Sequence, residues 1–275
     1  MLRIFIACIL ALGAGLCAGD TARAGAWTRS EGDGVVILSL GRQAAPFTAL
    51  AGALPTQDKY VGQIYVEYGV IEAVTVGASL FADTEFTHDG TGDGSTAAAS
   101  LFVRTRVYSD DDGYVGAVQL GGAFPLEDKL GDDFSGARHS APEVRFSVLG
   151  GTSWWGDWGS AFASGALGYA WVGRDDPSEI RMELTTGYEP RHCCLAILSL
   201  FYAEPLSAAP GESRADGRSL TIAPSFAYRL LPQIARNGKK PEGPLNPATI
   251  QIGINYDLLN GGDGIGLQIA IWKKF

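Results

Sequence analysis

Apolar and polar side chains alternate with a period of two along most of this chain, in segments about ten residues long. In YVGQIYVEYG, Ile64, Val66 and Tyr68 fall on one parity, while Gln63, Tyr65 and Glu67 fall on the other. EAVTVGASLFADTE sets Val74, Val76, Ala78 and Leu80 against Thr75, Gly77, Ser79, Phe81 and Asp83. LFVRTRVY opposes Leu101, Val103, Thr105 and Val107 to Phe102, Arg104, Arg106 and Tyr108. EVRFSVLG, EIRMELTTGYEP and TIQIGINYD repeat the device, and GIGLQIAIWKKF closes the chain with Ile265, Leu267, Ile269 and Ile271 on one face. Successive side chains of a strand point to opposite sides of the pleat, so each segment predicts a strand that is apolar on one face only. Weaker segments at Gly34 to Arg42, Tyr114 to Phe124, Trp158 to Val172, Cys194 to Glu204 and Ser219 to Leu230 bring the total to about twelve.

An even number of strands, each long enough to cross hydrocarbon with about 9–11 residues, is the pattern of a closed membrane barrel. The expected fold is all-β, a transmembrane antiparallel up-and-down β-barrel of about 12 strands. The connections agree. THDGTGDGST and LEDKLGDDFSGARHSA are long and polar, whereas SDDDG and the Pro190-Arg191-His192 corner are tight. One connection, Leu230 to Pro247, is long where a short turn belongs; it reads as an extension on the short-turn side, the other reading being a slip in the strand count there. Tyr68, Tyr108, Tyr114, Tyr188 and Tyr228 fall toward the tight turns and Trp154, Trp155 and Trp158 cluster at another, as an interfacial aromatic girdle would place them.

The charges set the register. An arginine on the lipid side costs roughly 2–4 kcal/mol near the bilayer midplane. With Ile64, Val144 and Ile180 outward, Glu67, Arg104, Arg106, Glu143, Arg145, Glu179, Arg181 and Glu183 all project into the lumen. Such a set either lines a water-filled passage that sorts solutes by charge or fills the interior with crossed ion pairs.

The N-terminus changes the domain plan. MLRIFIACILALGAGLC, with Arg3 before an apolar run and Ala22-Arg23-Ala24 as a cleavage site, predicts a secretion signal over residues 1–24 and a barrel domain over 25–275. Leu16 stands before Cys17 where a lipoprotein signal has a small residue, so no lipid anchor is expected. Cys193 and Cys194 are adjacent, a spacing that suits neither a stabilising disulfide nor a metal site. The net charge of −9 lacks the positive footprint of nucleic-acid binding.

Two resemblances sharpen this. Phe275, with Ile271, Ile269 and Leu267 on its face, resembles the C-terminal signature by which bacterial outer-membrane β-barrel proteins are recognised by their assembly machinery; Lys273 departs from it where an apolar residue is usual. The start GAWTRSEGDGVVILSL, together with the chain length, is similar to proteobacterial outer-membrane proteins grouped with transporters of aromatic-degradation pathways. The resemblance to outer-membrane phospholipases and lipid A deacylases fails on spacing, because a strand-borne His and Ser must lie at i and i+2. His139 has Ala141 there, His88 has Gly90, and only His192 meets a nucleophile, Cys194. HDGTGDGS, with Asp89 and Asp93, lacks the spacing and closing Glu of a calcium loop. The expectation is a non-enzymatic passive pore or small-solute transporter in the outer membrane of a Gram-negative bacterium, without cofactor or metal. Its partners would be outer-membrane lipid, the barrel-assembly machinery and a small solute. A closed structural or adhesive barrel is the alternative, and a lipid hydrolase the third reading.

Overall fold

The computed structural model describes residues 26–44, 57–87, 94–126, 141–173, 177–191, 194–207, 218–230, 248–259 and 265–275. Twelve strands run through them: β1 (Gly34–Ala44), β2 (Gln57–Ile71), β3 (Val74–Thr87), β4 (Gly94–Ser109), β5 (Tyr114–Pro125), β6 (Glu143–Gly156), β7 (Gly159–Val172), β8 (Glu179–Arg191), β9 (Cys194–Pro205), β10 (Ser219–Arg229), β11 (Thr249–Asp257) and β12 (Ile265–Lys274). Each strand pairs antiparallel with its neighbours in sequence, and β1 closes on β12 with Leu40 opposite Ile269 and Val36 opposite Lys273. Closure removes every unpaired strand edge, which a barrel in hydrocarbon requires.

The alternation read from the sequence becomes an outside and an inside. Leu40 is 63% exposed, Leu101 59% and Leu120 58%, all on the outer wall. The buried apolar cluster is instead inside: Trp27, Val115, Ala117, Leu149, Phe162, Leu195 and Ala227, with Ala26 fully enclosed among them. A wall that exposes its large aliphatic side chains and encloses its carboxylates is stable with hydrocarbon around it.

Strand lengths run from 9 residues in β11 to 16 in β4, so several reach beyond what the crossing needs. Short connections join β2 to β3, β4 to β5 and β6 to β7, and the start of β1 and the end of β12 lie at that same end, hereafter the turn end. Register shifts at Gly69/Ile71, Arg106/Tyr108 and Tyr188/Arg191 also sit there. The strand count holds through β10 and β11, whose register runs to Arg229 opposite Thr249, and the Leu230 amide donates to the Ala248 carbonyl at 2.7 Å. Residues 231–247 of the expected extension, the signal segment, the three histidines and Cys193 lie outside the described residues. At the aromatic-rich turn end Tyr68, Tyr108, Tyr114, Tyr228, Trp154 and Trp155 are exposed, and the half-buried Tyr188 donates from its hydroxyl to the Trp158 carbonyl at 3.0 Å.

Inside the barrel, small residues make room for rings. Gly77 on β3 faces Phe102 on β4 so closely that a Cβ there would lie 2.2 Å from the ring. The Phe102 ring in turn stacks on Tyr65, with centroids 6.1 Å apart.

Candidate functional site in the barrel lumen

Strands β2, β3 and β4 bring the first charged group together. Glu67, 3% exposed, receives Arg29 Nε at 2.7 Å and Arg104 Nη1 at 3.1 Å, while the Tyr65 hydroxyl donates to it at 2.6 Å. Arg104 also donates through Nε to Gln119 on β5 at 3.0 Å and lies over the Phe102 ring at 5.1 Å. Two guanidinium groups about one carboxylate leave this side of the lumen with a net positive charge.

Toward the opposite end, the starts of β6 and β8 hold a balanced set. Arg181 spans from Glu179 to Glu143, at 2.8 Å to each, and Arg145 joins Glu143 on its own strand. Lys59 meets Asp83 at 2.9 Å, and Arg229 meets Glu189 at 3.2 Å. Removing either member of such an enclosed pair leaves an uncompensated charge, so these pairs constrain the wall even where their net contribution to stability is small.

The segment before β1 enters the lumen. Gly32, at φ +82°, turns the chain just ahead of β1; its amide donates to Gly69 O at 2.9 Å, and Asp33 N donates to Ser30 O at 3.0 Å. From there, running back toward the N-terminus, Arg29 N donates to Thr75 Oγ1 at 2.7 Å and Thr28 Oγ1 to Glu72 O at 3.0 Å. Trp27 then reaches the far wall, edge-on to Phe162 with centroids 6.2 Å apart and against Gly151, where a Cβ would meet its ring at 2.8 Å. Its carbonyl accepts from Arg104 Nη1 at 3.2 Å. Residues 26–33 thus bridge from the β2–β4 wall to the β5–β10 wall across the turn end of the lumen.

Above this bridge the described residues leave part of the inner wall uncovered. Glu183 on β8 and Phe201 on β9 are directly opposite in register, both on the inward parity, and both exposed to solvent.

Of the residues expected in the lumen, Glu67, Arg104, Glu143, Arg145, Glu179, Arg181 and Glu183 sit on the inward parity, gathered into two ion-paired groups with Glu183 apart from both. Arg106 keeps that parity, opposite the enclosed Ala117 and just before the bulge, and at the turn end it pairs with the exposed Glu72 of the β2–β3 turn at 3.1 Å. Leu267, Ile269, Ile271 and Phe275 are exposed on the outer wall of β12 and just beyond it. Sequence reasoning did not find Trp27, Arg29, Lys59, Asp83, Glu189, Arg229 or Phe201. Trp27 and Arg29 lie in a stretch without alternation, and Phe201 in LAILSLFY, which is apolar on both parities, so neither pattern gave them a direction.

No family model and no curated protein matches the sequence. Solved structures do. The barrel is similar to an outer membrane channel from Pseudomonas putida F1, with a TM-score of 0.60 and 10% identity over 93% of this chain and 100% of that one. It is similar also to the NanC porin, at 0.51 and 13% over 88% and 98% of the two chains. The translocator domain of autotransporter NalP from Neisseria meningitidis gives 0.50 and 10% over 89% and 88%. At these identities the likeness is one of fold.

Proposed function

We propose that this chain is an outer-membrane barrel giving small solutes passive passage through a charged lumen narrowed by residues 26–33. The observation that carries the reading is the pairing of an apolar outer wall with an inner wall on which the carboxylate of Glu183 and the ring of Phe201 stay exposed inside the barrel. Polar groups facing such a space substitute for part of a solute's hydration shell and set its charge preference. The similar solved structures, a channel and a porin among them, are consistent with it. The likeness of GAWTRSEGDGVVILSL makes aromatic compounds the first solutes to try. Phe275, Ile271, Ile269 and Leu267, displayed outward, are the groups the assembly machinery would read.

The bridge at the turn end favours a second reading, a barrel closed at rest. Single-channel recording in planar bilayers separates the two: passage predicts discrete conductance steps, and a closed barrel gives none. Both readings require detergent or lipid. Purified protein that stays monodisperse in plain buffer overturns both.

A further inference from the structure

The inward carboxylates are not all treated alike. Glu67, Asp83, Glu143, Glu179 and Glu189 each touch a cationic side chain within 3.2 Å. Glu183 touches none among the described residues; its one hydrogen bond comes from Thr185 Oγ1 at 3.3 Å, and Arg104 and Arg145 act on it only through space. Its carboxylate is exposed inside the barrel, free to meet a charged solute, whereas the paired carboxylates are enclosed. Its surroundings are also unusually open. The inward neighbours of Glu183 and Phe201 are small, Ala166 on β7 and Thr221 on β10, and Phe201 shows 42% of its surface to the lumen.

We infer that Glu183 and Phe201 form a binding subsite for an organic ammonium ion bearing an apolar or aromatic substituent. The carboxylate supplies the counter-charge and hydrogen-bond acceptor for the ammonium head. The Phe201 ring, directly across the strand pair, offers a π face to the cation and an apolar surface to its substituent. A bare divalent cation fits poorly, since it demands six or more oxygen ligands and the pair supplies one carboxylate. Height matters as well. Ala166, the partner of Glu183, packs against the Trp27 cluster, and Phe201 lies four residues beyond Ile197, which packs there too. The bridge is therefore the floor of the subsite, which opens away from the turn end. A cation is held there before it meets the constriction.

The inference deepens the passage reading but is tested without conduction. Full-length mature protein in uncharged detergent is titrated with benzylammonium, benzyl alcohol and benzoate, and binding is followed by ligand NMR. The expected result is a Kd for benzylammonium on the order of 1 mM, with the other two weaker by about tenfold. E183Q, which keeps the shape, removes that preference, and F201L weakens benzylammonium by about threefold. Equal binding of the three ligands by the wild-type protein overturns the inference, as does undiminished binding by E183Q. So does displacement of benzylammonium by potassium at equal concentration. A barrel that conducts ions but shows no preference for the ammonium sinks this subsite alone; one that binds it yet never conducts sinks passage alone.

Discussion

Trp27→Ala removes the anchor of the segment that bridges the lumen. Trp27 is 9% exposed and touches Phe162 edge-on, so most of an indole, about 200 Å² of apolar surface, is enclosed. At about 25 cal/mol per Å² that is roughly 5 kcal/mol. The alanine keeps a small part and lumen water fills some of the space, which brings the expected cost to about 3 kcal/mol, the low end for such truncations. Converted at 1.4 kcal/mol per decade, the detached population of the segment rises roughly a hundredfold. The segment keeps its contacts at Arg29 with Glu67 and at Gly32 with Gly69, so the barrel itself stays intact. Hydrogen exchange reads this locally: the Arg29 amide, bonded to Thr75 Oγ1, should exchange much faster while amides in β1 through β12 do not change. Single-channel conductance should rise in parallel. Gly151→Val perturbs the same contact from the wall side, where a Cβ would already lie 2.8 Å from the Trp27 ring, and should reproduce both effects. Unchanged exchange at Arg29, or faster exchange spread evenly over the strands, would refute the reasoning.

Glu67→Gln leaves Arg29 and Arg104 facing each other without their shared counter-charge, and should lower stability by about 3–5 kcal/mol, seen as a lower urea midpoint in detergent. Gly77→Ala drives a methyl into the Phe102 ring and should cost about 1–3 kcal/mol, with loss of the Tyr65 ring stacking visible in aromatic NMR shifts. In the β4–β5 turn, the Tyr108 hydroxyl and then the Tyr114 amide hold the Asp110 carboxyl below its usual range. Because the folded value is the lower one, the turn is supported at neutral pH, and that support fades as acidification passes from the ordinary carboxylate range down through the depressed value. Exchange at the Tyr114 amide should accelerate over that acid window in the native protein and show no such pH step in Asp110→Asn.

How far the sequence reaches depends on whether a feature is periodic. All twelve strands were legible: in the alternating ones a one-residue slip would turn a whole apolar face inward and the pattern forbids it, while the weak β5 and β9 filled the gaps between them. The inward parity of Glu67, Arg104, Glu143 and Glu179 follows from the same alternation. Their partners do not. Arg181 crosses β7 to reach Glu143, and Arg29 reaches back from outside the barrel strands to Glu67, contacts that depend on shear and on tertiary closure. Arg106 keeps the predicted parity, but its partner Glu72 sits in the β2–β3 turn, where alternation gives no direction. GAWTRSEGDG has no period at all, so nothing in its spacing says that Trp27 lies inside. Phe201 is hidden for the opposite reason, an apolar residue among apolar neighbours whose inward direction emerges only from its pairing with Glu183 and Thr221.

Leucine methyl groups offer the most direct test of hydrocarbon outside and water inside. Leu101, Leu120, Leu167 and Leu267 are each more than half exposed on the outer wall, while Leu149 and Leu195 are enclosed with Trp27. In lipid nanodiscs, magnetisation transfer from acyl chains should reach the first four methyl pairs and miss the last two, which should show transfer from the indole instead. Acyl-chain transfer to Leu149 or Leu195, or its absence at the outer four, would contradict the account.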